Sequence, residues 1–381
     1  MDFNLTGEQR DIQRAAEDFA RGEFDPDAAL QYDMDQQFPS ALWNKASELG
    51  FVGIHIPEEY GGQGLGILEN VLVVEAFCRH DSGMGMALAL SDFGSEMILR
   101  HGKPEQKERT LPVIVGAEGI STVACFEQGY ALYPFETFAK RRNRGYSIEG
   151  KKSFVPLART ARYLIVACQT GKDDPRSQSI FLLESGQEGL QVTGMGDRVG
   201  MRMISLDEVS LHCPEIPEDN RIGQEHFGHS YLLDFFDVMR IEIGAMGVGI
   251  GQGALDRALE YSKKREQFGR TIATFDAIRN KLADMLVNTE LARLVTYRAA
   301  WSWDSGRPDH RALLMAKLMG STMAYRVAFD ALQIHGGLGY MKESPIEHFF
   351  RDAKVLDLFL ESGQIQRNML ADLMLGERKR G

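Results

Sequence analysis

The chain is poor in cysteine: its 381 residues contain only four, Cys78, Cys125, Cys168 and Cys213. They are scattered, and no pair has the CxxC or CxxH spacing of zinc sites and redox motifs. A protein stabilised by disulfides would need a denser cysteine framework and an oxidising compartment. We therefore expect reduced thiols in a cytoplasmic protein, and no metal site.

The chain also lacks an excess of positive charge and long apolar runs. A formal net charge of -11 disfavours a nucleic-acid partner, because phosphate binding depends on clustered lysine and arginine. No run of about 18 apolar residues occurs, and the N-terminus has neither a basic segment nor an apolar core. Neither export nor membrane insertion is expected. With 44% hydrophobic and 25% charged residues, the composition is that of a folded globular protein.

Hydrophobic periodicity divides the chain into three zones. From Thr6 to about Lys107, apolar residues recur at spacings of three and four, as on one face of a helix. Thr6 and Gln9 resemble a capping box, and a glycine-rich loop at 56–66 separates two helical segments. This zone is predicted to be helical. Short apolar runs such as 163–167 and 179–183, separated by turn residues, then predict a β domain.

Beyond Tyr231 the helical period returns in long segments, at about 232–265, 275–305 and 311–335, which predicts a helical bundle. The fold class is therefore α+β. We expect an N-terminal helical domain at 1–120, a middle β domain at 121–228 and a C-terminal bundle at 229–381.

Two glycine-rich stretches each allow a structural and a ligand-binding interpretation. Gly247 to Gly253 resembles a dinucleotide-binding motif, but no strand precedes it, so close helix packing is the better interpretation. His335 to Tyr340 follows a long predicted helix. Its glycines suit either a phosphate-binding turn or a plain helix end followed by a loop.

Six segments in one order resemble the acyl-CoA dehydrogenase family over the whole length of the chain. The segments are E-E-Y-G-G-Q-G-L-G at 58–66, G-K-P-E-Q-K at 102–107, F-D-V-M-R at 236–240, R-E-Q-F-G at 265–269, Q-I-H-G-G-L-G-Y at 333–340, and R-D-A-K at 351–354 leading to Q-I-Q-R at 364–367. Six matches in the same order are improbable by chance.

The resemblance implies a fold and a set of partners. The family has a helical N-terminal domain, a β-barrel-like middle domain and a C-terminal four-helix bundle, and is usually tetrameric. FAD lies between the middle and C-terminal domains beside a coenzyme A thioester, and an electron-transfer flavoprotein would be the partner of a redox-active member. Asp237 and Arg240 match positions that hold the CoA moiety.

The resemblance also implies flavin contacts. Arg265, Phe268, Gln333 and Gly337 match positions that reach the FAD of a neighbouring subunit, whereas Ser362 and Gln364 match positions that touch the FAD of their own subunit. In the middle domain Glu127 and Phe154 occupy the flavin-contact segments. These segments depart from the family pattern: F-E-Q-G-Y-A-L-Y at 126–133 replaces T-E-P-G-A-G-S-D, and F-V-P-L at 154–157 replaces W-I-T-N.

The catalytic base is the least conventional feature. The family removes a proton beside the thioester carbonyl with a carboxylate, most often a glutamate that aligns here with Leu360. Glu361 stands one residue later, and such a step turns a side chain to another face, so we interpret Glu361 as a structural or solvent-facing acid. Glu242 is a further candidate, or an ordinary helix-surface residue.

Asp92 is the favoured base, because an acid inside the apolar stretch A-L-A-L-S-D-F-G-S needs a special reason for its position. The plainer alternatives are a helix cap or an ion pair with Arg100. In the family this stretch lines the acyl pocket, whose walls here would include Phe93 and Tyr130. A branch acting on cyclohexene-carboxyl-CoA uses an aspartate there, which implies a 1,4-elimination giving a conjugated diene.

The weakened flavin segments leave a second hypothesis open. Pro156 replaces a threonine and has neither a hydroxyl nor an N–H to donate. The alternative is a redox-inactive relative, either a partner subunit in a heterotetramer or a flavin-free hydratase, lyase or isomerase acting on a CoA thioester. A pure scaffold is less favoured, since it would not need Asp237 and Arg240.

Overall fold

The computed structural model describes residues 4–129 and 134–376, so Tyr130, an expected wall of the acyl pocket, lies outside the described residues. The first part of the chain is helical, as expected. Its helices are Gly7–Glu23 (α1), Pro26–Asp35 (α2), Ser40–Glu48 (α3), Ile67–His80 (α4), Ser82–Ala89 (α5), Ser95–His101 (α6) and Pro104–Val115 (α7). The predicted capping box is present, with Gln9 N–H donating to Thr6 Oγ1 at 3.2 Å and Thr6 N–H to Gln9 Oε1 at 2.9 Å.

The middle zone folds into one mixed sheet. Its strands are Ile120–Ala124 (β1), Phe138–Arg142 (β2), Gly145–Pro156 (β3), Ala161–Gln169 (β4), Gln178–Glu184 (β5), Leu190–Gly194 (β6), Leu206–Pro217 (β7) and Arg221–Ile222 (β8). The strands follow the order β6-β7-β3-β2-β4-β5-β8, and β1 joins the sheet by parallel pairing with β4. This is an open path in the described part of the chain, so the expected barrel-like closure is not shown.

The C-terminal zone contains the long helices that its periodicity predicts. They are Gly228–Lys264 (α8), Asp276–Asp304 (α9), His310–His335 (α10), Pro345–Leu358 (α11) and Gly363–Leu375 (α12), with a small hairpin of Glu266–Gln267 (β9) and Arg270–Thr271 (β10) after α8. A short 3-10 turn at Gly336–Tyr340 follows α10, which agrees with a helix end followed by a loop.

Glycines bring α8 against its neighbours, as the sequence suggested. A Cβ added to Gly247 would lie 2.5 Å from the carbonyl oxygen of Gly320 on α10, and one added to Gly249 would lie 2.5 Å from that of Glu75 on α4. Contacts this short leave room for hydrogen only. Helix α8 therefore runs through the centre of the molecule, and its residues face both the N-terminal helices and the bundle.

All four cysteines are buried and unpaired, in agreement with the prediction of reduced thiols. Among the described helices, none combines the length and apolar character needed to cross a membrane.

Candidate active site

Phenylalanine rings from four distant segments meet where the helical zones approach the sheet. Phe93 packs edge-on against Phe235 of α8 with ring centres 5.1 Å apart, and lies 5.8 Å from Phe359, which follows α11. Phe236 in turn stacks on Phe126, which follows β1, at 6.1 Å. The residues next to these rings in sequence, Asp92, Asp237, Leu360 and Glu127, are thus brought into one region.

Asp92 lies in this region, in the short connection between α5 and α6. Its backbone pairs with Ser121 of β1, and its carboxylate lies near its own N–H, the N–H of Gly53 and the side chain of Ser95, all of which favour the charged form. Burial raises the pKa of the Asp92 carboxyl to about 7, against the lowering effect of these groups. At neutral pH Asp92 can therefore both accept and release a proton.

The plainer interpretations of Asp92 are wrong. Arg100 lies beside Glu96, with Nε 3.8 Å from Oε1, and its guanidinium stands over the ring of Trp303. Helix α6 begins after Gly94, and no side chain caps it. Among the described residues, Asp92 thus has neither a cation partner nor a capping role.

Glu242 is a second carboxyl in the same interior region. It projects from α8, and the side chain of Asn70 on α4 lies near its carboxyl group. Burial, together with the charge of Asp92, raises the pKa of Glu242 well above its ordinary value. Glu242 is therefore not an ordinary surface residue, and because two such carboxyls do not ionise together readily, it holds a proton when Asp92 is ionised.

Glu361 is buried in an ion-pair cluster and does not face solvent. Its Oε2 accepts from Arg240 at 2.6 Å and 3.1 Å and from Gln366 Nε2 at 2.8 Å. Arg240 also donates to Asp237, whose other oxygen lies 3.2 Å from His310 Nδ1. The structural interpretation of Glu361 is supported. The same contacts engage the charged groups of Asp237 and Arg240 with protein partners, and their binding of CoA stays a prediction.

Leu360 occupies the position of the usual family glutamate. Its backbone is left-handed, with φ of 61°, which is unusual for a leucine and is held by the loop between α11 and α12. Leu360 packs against the main hydrophobic core beside Phe359. The position of the usual catalytic base thus carries no acidic group.

The middle-domain segments use their polar groups within the protein. The Glu127 carboxylate accepts from Lys152 Nζ at 2.7 Å and from the N–H groups of Glu136 and Thr137 at 2.6 Å and 3.0 Å. The carbonyl of Pro156 accepts from Thr122 Oγ1 at 2.5 Å. Phe154 has a left-handed φ of 56° and donates its N–H to the sulfur of Met195 at 3.2 Å. These contacts shape the segment, and the flavin contacts of Glu127 and Phe154 stay predictions.

The residues expected to reach a neighbouring subunit are exposed together at one end of the bundle. Tyr261, near the end of α8, stacks on His335 at the end of α10 with ring centres 4.4 Å apart. This contact joins the hairpin segment, with Arg265 and Phe268, to Gln333 and Gly337. All four residues are exposed, and Phe268 is 94% exposed.

Ser362 and Gln364 lie at the beginning of α12. The Ser362 hydroxyl caps the helix by accepting from Ile365 N–H at 3.4 Å, and the exposed Gln364 donates to Asn368 Oδ1 at 3.3 Å. A capped helix N-terminus presents further free N–H groups and a partial positive charge.

The sequence interpretation missed several residues of this region. Ser95, His55, Glu96 and Asn70 surround the two interior acids, and Lys317 with Gln366 lies beside Glu361. Glu96 is an acid at the start of α6, and this position was a signal that the sequence itself contained. No local signal identifies His55, Asn70 or Lys317, because their partners come from other helices.

Comparison with known proteins agrees with this arrangement. Models of the N-terminal, middle and C-terminal domains of acyl-CoA dehydrogenase match residues 6–118, 127–212 and 226–375. This chain belongs to the acyl-CoA dehydrogenase family. Its members are flavoenzymes that act on acyl-CoA, and the helical, sheet and helical zones described above are the family fold.

Three similar proteins illustrate the relationship. A probable acyl-CoA dehydrogenase of Bacillus subtilis is 36% identical, covering 98% of this chain and 100% of its own. A cyclohexane-1-carbonyl-CoA dehydrogenase of Geobacter metallireducens is 32% identical, covering 98% and 99%. The structure of butyryl-CoA dehydrogenase from Megasphaera elsdenii aligns with a TM-score of 0.93 at 30% identity, covering 98% and 100%.

The residues present fit an FAD of this family, with a changed set of contacts. The α12 N-terminus, capped by Ser362, and the exposed Arg265 and Gln333 are suited to a polar, phosphate-bearing group. In the middle domain, the aromatic residues Phe126 and Phe154 stand where the family pattern has threonine and tryptophan. When bound, FAD supplies acceptance of a hydride from the acyl group.

Proposed function

We propose that this enzyme oxidises an alicyclic acyl-CoA thioester by 1,4-elimination, with Asp92 as the catalytic base. The observation that carries the proposal is the placement of Asp92. Its neighbour Phe93 contacts Phe359, beside Leu360, so Asp92 lies near the position where the family base is missing. Unlike the adjacent Glu361, which is paired with Arg240, Asp92 has no ion-pair partner among the described residues.

The environment of Asp92 suits proton abstraction. A base must be unprotonated at working pH and still basic enough to take a weakly acidic proton, which favours a pKa near neutrality. Burial gives Asp92 a pKa of about 7, and a protonated Glu242 leaves Asp92 as the charged member of the two. The phenylalanine rings that meet beside Asp92 give the site an apolar wall.

The position of the base determines which carbon loses a proton and therefore which product is formed. With no acid at Leu360, nothing takes a proton from the carbon beside the thioester carbonyl. A base displaced along the ring removes a proton from a more distant carbon, and a conjugated diene is formed. The similarity to a cyclohexane-1-carbonyl-CoA dehydrogenase favours a six-membered ring as the acyl group.

The protein is proposed to act as a tetramer, with an electron-transfer flavoprotein as acceptor. Exposed apolar side chains along α9 and α10, among them Leu291, Leu294, Trp301 and Phe329, support association through the bundle. Light scattering of the purified protein at several concentrations tests this assembly. A monomer would overturn it, since Arg265 and Gln333 then have no neighbour to reach.

The test of the function compares Asp92→Asn with the unmodified protein on cyclohex-1-ene-1-carboxyl-CoA. We expect a visible flavin spectrum and a conjugated diene product from the unmodified protein, and loss of turnover with retained thioester binding in the variant. Undiminished turnover of Asp92→Asn would remove Asp92 from the mechanism. A colourless protein that still binds CoA thioesters after FAD is added would favour the flavin-free alternative.

A further inference from the structure

A series of hydrogen-bonding side chains leads from Asp92 towards the protein surface. The Ser95 side chain is close enough to the Asp92 carboxylate to favour its charged form, and Ser95 Oγ lies 3.4 Å from His55 Nε2. The same nitrogen of His55 lies 3.5 Å from Glu96 Oε2. The other carboxylate oxygen of Glu96 lies 3.8 Å from Arg100 Nε. Each step is within reach of a direct hydrogen bond after a shift of a few tenths of an ångström.

Exposure rises steadily along this series. Ser95 is only 1% exposed, the side chains of His55 and Glu96 are 10% and 15% exposed, and that of Arg100 is 40% exposed. The series therefore runs from the buried Ser95, next to the partly buried Asp92, out to solvent at Arg100.

Two local features bring these groups together. Gly94 adopts a φ of +91°, and a Cβ there would lie 2.3 Å from Val123 Cγ2, so the chain turns sharply between Asp92 and α6. This turn places Ser95 and Glu96 in the first turn of α6. His55 comes from the loop after α3, and Gly53 in the same loop places its N–H near the Asp92 carboxylate.

The charges along the series allow a proton to move. Burial lowers the pKa of His55 to about 4, so its ring is neutral and accepts a proton only briefly. Burial raises the pKa of Glu96 to about 7, with Arg100 opposing and Asp92, Asp304 and Asp234 adding to the rise. Both described contacts of the His55 ring are at Nε2, and Nδ1 has no hydrogen-bond partner among the described residues.

We propose that Ser95, His55 and Glu96 form a relay that carries the proton taken up by Asp92 out to solvent. The inference rests on the proposed role of Asp92 as base. It explains why the partly buried Asp92 lies beside a hydroxyl, an imidazole and a second acid, and it gives the enzyme a way to restore the Asp92 carboxylate between turnovers.

Proton transfer along the relay conserves protons and electrons. The substrate C–H bond breaks and an O–H bond forms on Asp92. Asp92 then gives its proton to Ser95 Oγ while the Ser95 hydroxyl proton passes to His55 Nε2, and the imidazolium transfers a proton to the Glu96 carboxylate. Glu96 finally releases a proton to water beside Arg100. One proton enters and one leaves, and no electrons pass along the relay.

Deuterium exchange tests the relay separately from oxidation. The holoenzyme is incubated in D2O with cyclohex-1-ene-1-carboxyl-CoA in excess and no electron acceptor, and deuterium in the recovered probe is measured by mass spectrometry. Exchange requires the abstracted proton to leave Asp92 before a deuteron returns to carbon. In Ser95→Ala and Glu96→Gln the same proton returns, and we expect exchange to slow at least about tenfold.

Two controls separate the relay from a loss of structure. Ser95→Thr keeps the hydroxyl and is expected to restore exchange, and Glu105→Gln, on the exposed side of α7, is expected to exchange at the unmodified rate. Thermal unfolding of each variant reports its folding. Exchange at the unmodified rate in Ser95→Ala and Glu96→Gln, with none in Asp92→Asn, would overturn the relay and leave the base intact. Normal exchange in Asp92→Asn, or none in the unmodified protein, would overturn both.

Discussion

Arg240 donates two hydrogen bonds to a single carboxylate oxygen of Glu361, at 2.6 Å and 3.1 Å, and both side chains are buried. The pair joins α8 to the loop between α11 and α12. An acid one residue beyond the usual base position is thereby fixed as part of the protein framework.

We expect Glu361→Gln to destabilise the protein strongly. The substitution leaves Arg240 and the nearby Lys317 with less negative charge in the interior, and breaking a buried ion pair costs about 3–5 kcal/mol. Denaturant unfolding measures the change, with Glu105→Gln as the exposed control. A loss no larger than that of the control would contradict the structural role of Glu361.

Lys317 is expected to cost stability at neutral pH. Lys317 is 1% exposed, its amine has no hydrogen-bond partner in the described part of the chain, and burial lowers its pKa to about 8. The unfolded chain therefore binds more protons between pH 8 and the ordinary lysine pKa, so the penalty is full below pH 8 and fades as pH rises.

Lys317→Met should then raise stability at pH 7, by roughly 2 kcal/mol, with a gain that shrinks towards pH 10. Thermal unfolding at several pH values measures it, and the exposed Lys172→Met serves as control. A gain that does not change with pH would show that packing, rather than charge burial, is responsible.

Asp92→Asn should stabilise the protein above neutral pH while removing its activity. The folded state raises the pKa of Asp92 from 3.8 to about 7, so it binds more protons than the unfolded chain between these values. Stability contributed by the protonated acid is lost as pH rises through this window. We expect no difference at pH 4 and a gain of roughly 2 kcal/mol or more at pH 8, measured by thermal unfolding. Equal curves at both pH values would show that the folded protein does not raise the pKa of Asp92.

Leu360→Glu should restore a base beside the thioester carbonyl. The backbone at this position is left-handed, with φ of 61°, and the side chain packs against the hydrophobic core beside Phe359, where the proposed function places the acyl group. We expect 1,2-dehydrogenation of cyclohexane-1-carbonyl-CoA to rise at least about tenfold, since a positioned base contributes that much or more. Product analysis by chromatography and mass spectrometry measures it, with Leu360→Gln as the uncharged control. Equal products from both variants would show that the carboxylate does not reach the substrate.

Gly247→Ala should separate two helices that touch through their backbones. Its new methyl group would lie 2.5 Å from the carbonyl of Gly320, and overpacking of this kind costs about 1–3 kcal/mol. In Gly22→Ala, near the end of α1, the methyl group meets nothing within 4 Å, and a gain of about 0.5–1 kcal/mol is expected from helix propensity. The two variants are compared by denaturant unfolding, and the same sign for both would refute the close helix contact.

Periodicity along the sequence was enough to place the main elements. The segments expected at 232–265, 275–305 and 311–335 correspond to α8, α9 and α10, because helices this long carry many repeats of one apolar pattern. Periodicity did not predict whether the middle sheet closes into a barrel. Strand order depends on pairing between distant segments, and the described strands follow an open path.

The candidate site was only partly accessible from the sequence. Asp92 attracted attention because an acid in an apolar run is expensive to bury, and that argument needs no partner. Glu361 looked able to face solvent, since a sequence does not show that Arg240, 121 residues away, reaches its carboxylate. Glu242 was left between two interpretations for the same reason.

The sequence by itself determined the helical and strand zones, the family and the absence of an acid at Leu360, because each depends on local pattern or on residue identity. Tertiary structure decided which charges are buried and paired: it joined Glu361 to Arg240, enclosed Asp92 with Glu242, and placed Ser95, His55 and Glu96 in series. Burial and electrostatic coupling depend on distances through space. Only the folded chain sets those distances.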